Sequence, residues 1–146
     1  MRLIPVFASA LVLAGCASSV ALEPASLDDA TSKACSQFVG SLPVTLDGAR
    51  RANTAPKSST TAAWGPPFIT LRCGVTTPTA YTSSAELLTI NGVDWLPETL
   101  TNGTMFTTIG RTANVEVVVP KEYAPEANAI VEVSQIVNTE LPLLPH

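Results

Sequence analysis

The chain has 146 residues, with Lys+Arg 8 against Asp+Glu 12 and a formal net charge of −4 at pH 7. That length fits one domain, and a 46 % hydrophobic content supports a packed core rather than disorder. The mildly acidic balance, with Arg50-Arg51 as its densest cationic pair, excludes non-specific nucleic-acid binding, which depends on Lys and Arg neutralising phosphates.

The first element is an apolar run from Leu3 to Ala14, set between Arg2 and Gly15-Cys16. A positive start, a short apolar core and small residues before a cut read as a secretory signal peptide over residues 1–15. A spanning helix needs about 20 apolar residues, more than this run offers. A buried core helix is disfavoured because Ser18, Ser19, Glu23 and Pro24 follow at once. Leu13-Ala14-Gly15-Cys16 resembles the bacterial lipobox, which implies cleavage before Cys16 and lipid on its sulfur. The expected location is therefore the extracytoplasmic face of the cell membrane. No polybasic patch supports attachment, so lipid must supply it; one buried chain binds marginally and two anchor stably.

With Cys16 taken by lipid, Cys35 and Cys73 remain as an even pair in an oxidising compartment. The expectation is a Cys35–Cys73 disulfide. It would close a loop of about 38 residues, for which chain entropy gives about 4 kcal/mol as an upper figure. The alternative is two separate buried thiols.

Residues 16–26 are small and polar with Pro24, and read as a tether to a single domain over 27–141. Ser26-Leu27-Asp28-Asp29 then reads as a helix start, with Ser26 as cap and the aspartates at the positive end of the helix dipole. Leu27, Ala30, Ala34, Phe38 and Leu42 lie near helical spacing with Cys35 beside the stripe. Gly40 and Pro43 mark the end. Residues 47–67, with Arg50, Arg51, Asn53, Pro56, Lys57 and a Ser/Thr run, read as a solvated loop that Pro66-Pro67 leave extended.

From Phe68 the period becomes two. Phe68–Cys73 alternates, Glu86–Ile90 and Val93–Pro97 flank the hairpin signal Asn91-Gly92, and Asn102-Gly103 marks another turn. Thr104–Ile109 and Ala113–Val119 form a second hairpin around Gly110-Arg111-Thr112, with Val115, Val117 and Val119 on one face. Pro120 stops that strand. Pro125 opens a last helix whose apolar face is Ile130, Val133, Ile136 and Val137, and Pro142 and Pro145 end it in a tail expected to be mobile. The predicted fold is α+β, an antiparallel sheet of about five strands with two helices packed on one face.

Catalytic machinery is sparse. The only histidine is His146, the last residue, so a Ser-His-Asp triad or a Cys-His pair has no base. Zinc ligands are lacking, no Walker-type loop, GxSxG or GxGxxG stretch occurs, and no Asp-x-Asp-x-Asp run suggests calcium. The expectation is no catalytic residue, no metal and no cofactor. Glu86, Asp94 and Glu98 gather around the first hairpin, where paired carboxylates would suit acid/base work; solvated strand carboxylates are the simpler reading. Trp64, Trp95, Tyr81 and Tyr123 would suit a groove for peptide or glycan, although both tryptophans also suit packing under loops. Arg72 and Arg111 would hold a carboxylate or phosphate bidentately, or pair with acids at the sheet surface. The candidate binding surface is thus Trp64, Arg72, Asp94, Trp95 and Arg111.

Several strings match a known family. Ala63-Trp64-Gly65-Pro66-Pro67, Leu71-Arg72-Cys73-Gly74, Asn91-Gly92-Val93-Asp94-Trp95-Leu96-Pro97 and Phe106-Thr107-Thr108-Ile109-Gly110-Arg111-Thr112 resemble the actinobacterial domain of unknown function 3515 family. The segment Val119-Pro120 through Ala127 does so too, and the likeness covers residues 28 to 137. It implies a secreted or lipid-anchored envelope protein of unknown activity, and it carries over no catalytic residues. The leading expectation is a non-enzymatic binding or scaffolding module. Its expected partners are the membrane, through lipid on Cys16, and an envelope protein or cell-wall precursor, with no nucleic acid. The alternative is a minor envelope enzyme acting on peptidoglycan or wall peptides.

Overall fold

The computed structural model describes residues 19–145. The expected signal peptide, Cys16 and His146 lie outside the described residues. The architecture is α+β, with two helices and a mixed, mostly antiparallel sheet. The strands are β1 (Ser19–Ala21), β2 (Thr45–Leu46), β3 (Ala49–Ala55), β4 (Thr61–Trp64), β5 (Ile69–Val75), β6 (Leu88–Ile90), β7 (Val93–Leu100), β8 (Gly103–Thr108) and β9 (Asn114–Pro120). The helices are α1 (Asp29–Gly40) and α2 (Ala127–Glu140). The sheet runs β1-β3-β4-β5-β9-β8-β7-β6, with β2 paired to β3 off that path. β1 lies parallel to β3, and every other pairing is antiparallel.

The five predicted strands correspond to β5 through β9, and β1 through β4 are additional. Thus the sheet is nearly twice as wide as expected. Ser19–Ala21 is a strand, where a tether was expected, in register with Asn53–Ala55. The expected loop at 47–67 holds β3 and β4, with Arg51 opposite Trp64 and Ala52 opposite Ala63. The C-terminal tail is tied down as well. Leu143 bridges Arg111, Pro142 O accepts from Thr112 N, and Leu144 N donates to Gly110 O.

Local chemistry accounts for the elements. Asp28, rather than Ser26, caps α1; its Oδ1 accepts from Thr31 N at 2.8 Å, satisfying one of the free N–H groups of the first turn. The buried stripe of α1 is Cys35, Phe38 and Val39, continued by Leu42, while Ala30 is exposed. The β6–β7 hairpin turns on Asn91 (φ 50°) and Gly92 (φ 77°), both left-handed as a type I′ turn requires. Helix α2 starts two residues beyond Pro125 and buries Ala129, Ile130, Val133 and Val137.

One buried cluster gathers residues of α1, α2 and the sheet strands that meet them. Register places Leu71 opposite Val117 and Cys73 opposite Val115, and all four are buried. The Cys35–Cys73 disulfide fastens α1 to β5, with a Cα–Cα distance of 5.5 Å and both residues fully buried. Trp95 fastens α2, its Nε1 donating 2.9 Å to Ser134 Oγ, which in turn donates 2.7 Å to Ile130 O. Trp64 is equally buried, and its Nε1 donates 2.9 Å to Pro43 O in the loop after α1. Each indole removes about 150–250 Å² from water, equivalent to about 4–6 kcal/mol of apolar burial. The paired N–H groups keep that gain from being offset by an orphan donor.

A polar cleft between the first helix and the sheet

A concavity lies where the N-terminus of α1 meets the C-terminal end of β5 and the turn before β9. It measures about 370 Å³ and is lined by Ser26–Asp28, Thr31, Gly74–Thr77 and Arg111–Asn114. A register shift between Cys73 and Val75 bulges β5 here and turns Val75–Thr77 towards the opening. Gly74 makes the bulge possible. Its φ is +85°, and a Cβ would stand 2.3 Å from Leu27 Cδ2, so no side chain fits without displacing Leu27.

The lining is mainly hydroxyl and amide. Asn114 is a hub: its Oδ1 accepts from Arg111 N and Thr108 Oγ1, both at 3.3 Å, and its Nδ2 donates to Thr77 Oγ1 at 3.4 Å. Asp28 is the only carboxylate among the lining residues. Its pKa is lowered chiefly by the hydrogen bond from the Thr31 backbone N–H. A carboxylate so held is a weak base and, at neutral pH, no acid.

Arg111 lines the cleft but is itself only 4 % exposed. Its Nη1 donates to Leu141 O at 3.1 Å and Asn138 Oδ1 at 3.3 Å, and its Nη2 to Gly92 O at 2.8 Å. The guanidinium therefore clamps the C-terminal end of α2, where the helix dipole favours a cation. Its Nε has no hydrogen-bond partner among the described residues. Burial lowers the Arg111 pKa, and the nearby Asp94 charge partly opposes that shift.

Of the five nominated residues, only Arg111 borders the cleft. Trp64 and Trp95 are fully buried and present no ring to a ligand. Arg51, rather than a ligand, covers the Trp64 ring, with its guanidinium carbon 5.0 Å from the centroid. Arg72 is committed to Glu116, its cross-strand partner, through Nε–Oε1 at 2.9 Å and Nη2–Oε2 at 3.0 Å. Asp94 is exposed and accepts 2.6 Å from Thr89 Oγ1 on the next strand. The remaining cleft residues, among them Thr31, Thr77 and Asn114, went unnominated. Thr76-Thr77-Pro78 directly after Cys73-Gly74-Val75 was the available signal, a hydroxyl pair following a strand that ends on glycine.

Among the described residues, no group of three or more His, Cys, Asp or Glu is placed to hold a metal ion. No described helix is long and apolar enough to cross a membrane. Fold and cleft define a class: a small disulfide-bridged α+β domain carrying a polar, hydroxyl-lined recess. The chain belongs to the family described as Protein of unknown function (DUF3515), which it matches over residues 2–145. No curated protein and no solved structure matches it.

Proposed function

We propose that this protein is a lipid-anchored, extracytoplasmic module of the cell envelope that binds its partner without chemistry of its own. The observation that carries the reading is the buried Cys35–Cys73 disulfide. Such bonds belong to oxidising compartments, and this one accounts for two of the chain's three cysteines, the third being Cys16, directly after Leu13-Ala14-Gly15. The cleft supplies the binding side of the proposal. Its volume falls within the usual range for small-ligand sites, and its hydroxyl and amide lining suits a neutral, hydrogen-bonding ligand such as a glycan or peptide unit of a wall precursor. The one carboxylate there, Asp28, is held in a helix cap with a lowered pKa, which favours recognition over acid catalysis.

Fatty-acid labelling in cells and the mass of the mature protein test the anchor. The expected product begins at Cys16, carries acyl chains and has no free thiol, and Cys16→Ser loses both label and membrane retention. An unlabelled chain with its N-terminal segment intact and Cys16 a free thiol would overturn the reading. A photo-reactive residue at exposed Thr112 tests the cleft, with an adduct expected there and none from exposed Lys57.

A further inference from the structure

The geometry points to a fixed orientation: the domain stands on the membrane surface on the Arg50–Arg51 end of its sheet, with the polar cleft facing away. This rests on the Cys16 reading above and goes beyond it. Only Ala17 and Ser18 lie between Cys16 and Ser19, the first residue of β1. Three Cα–Cα steps reach at most about 11 Å, so an acylated Cys16 leaves no room for a long flexible tether. The sheet edge itself is held at the lipid surface.

Register then decides which end faces the bilayer. Because β1 is parallel to β3, with Ser19 opposite Asn53 and Ala21 opposite Ala55, the N-terminal end of β1 points towards Arg51. The same end of the sheet collects the Asp47-Gly48 turn, the Gly65–Phe68 turn beside Trp64 and the Asn102 turn, where Lys121 N donates to Asn102 O. Its surface suits a lipid headgroup layer. Val44 is 70 % exposed and Leu100 40 %, and Pro66 and Pro67 of the turn after Trp64 are exposed at the same end. Arg50, Arg51 and Lys121 are exposed there too, accompanied by Asp47 and Glu122, in a chain that is net acidic overall. Exposed apolar groups mixed with cations match an interface that is part hydrocarbon and part anionic phosphate.

The cleft occupies the opposite end. Strand β5 runs from Ile69 beside the Gly65–Phe68 turn to Val75 in the cleft wall, and β9 returns from Asn114 to Pro120. Seven residues of strand span about 20 Å. The recess is therefore lifted off the bilayer by the length of the sheet and opens towards whatever lies beyond the membrane.

The test uses the mature, acylated protein in vesicles of phosphatidylcholine and phosphatidylglycerol that contain a headgroup spin label. A fluorophore is placed through Val44→Cys or Leu100→Cys at one end, and through Thr77→Cys or Thr112→Cys at the other. The first two positions are expected to be quenched several-fold more strongly than the last two. A long Gly/Ser insert between Ser18 and Ser19 should reduce that difference. Equal quenching at both ends, or stronger quenching at Thr77 and Thr112, would overturn the orientation while leaving the anchor intact. The mass of the reconstituted chain separates the two readings, because an unmodified Cys16 sinks the anchor and the orientation together.

Discussion

The molecule solves one problem twice, by different means. In the first half, α1 is joined to β5 by a covalent bond, Cys35–Cys73. In the second half, α2 is joined to β7 by a hydrogen bond, Trp95 to Ser134, and its end is clamped by Arg111. Each half also buries one tryptophan with a satisfied indole N–H. The difference follows from how the strands are connected. β6 through β9 form a run of hairpins whose partners are close in sequence, so their closure entropy is small. The first half brings α1 against β5 across a sequence separation of 38 residues, with β2, β3 and β4 between them. A cross-link that shortens this stretch in the unfolded chain removes entropy where most has to be lost.

The two tryptophans should give the largest effects. Trp64→Ala and Trp95→Ala are each expected to cost about 3–5 kcal/mol, measured by urea denaturation of the oxidised protein. The sharper comparison is Trp→Phe at both sites. Trp95→Phe leaves Ser134 Oγ still donating to Ile130 O. Trp64→Phe strips Pro43 O of its side-chain donor and uncovers the loop after α1. Trp64→Phe should therefore be the more damaging, and the reverse order would mean that the Trp95–Ser134 bond carries more of the stability than the Trp64–Pro43 bond.

Removing the disulfide comes next. Cys35→Ala with Cys73→Ala should cost up to about 4 kcal/mol for a loop of this length. Hydrogen exchange is the informative readout, because it resolves the halves. Amides of α1, β3 and β4 should exchange faster while those of β7 to β9 change little. Uniform acceleration would show that the halves unfold as one unit and that the covalent tie is not specific to the first.

This division also tracks what the sequence disclosed. β5 to β9 were legible because Val115, Val117 and Val119 alternate with Asn114, Glu116 and Val118, and because Asn91-Gly92 can take the positive φ values a tight hairpin needs. β3 and β4 were not, since Ala-Arg-Arg-Ala-Asn-Thr-Ala and Thr-Ala-Ala-Trp carry little hydrophobic contrast. All four residues of β4 are buried, so even that strand has no alternation to detect. Small side chains there mark burial on both faces rather than a loop. The disulfide was readable by counting cysteines. The cleft was not, because it depends on a bulge at Gly74 and on a helix cap meeting a distant turn, neither of which has a local pattern.

Arg111 offers a smaller test of the second half. Its replacement by Met removes the donor from the buried Leu141 O, a loss of about 1–3 kcal/mol, and the donor from the part-buried bond to Gly92 O. The substitution also relieves the desolvation that depresses the Arg111 pKa, so the net cost should fall near the lower end, about 1 kcal/mol. The tail is the specific readout. Pro142–Leu144 pairs with Gly110–Thr112, and its amides should lose protection before those of α2. If α2 frays first, the clamp serves the helix end more than the tail.

The smallest effect lies at Asp28 and concerns pH. Its folded-state pKa is lowered from 3.8, first by the backbone hydrogen bond from Thr31. A depressed carboxylate pKa adds stability that is fully present above the unfolded value and lost as pH falls through the folded one. The expected behaviour is therefore a flat contribution at neutral pH and a decline that begins below about pH 4. Asp28→Asn keeps a capping oxygen and removes the titration, so its stability should follow the wild type near neutrality and lack that part of the acid decline. Asp28→Ala loses the cap at every pH. Because Asp28 also lines the cleft, the Asn variant separates two roles: binding that survives in it needs the polar atom, and binding that fails needs the charge.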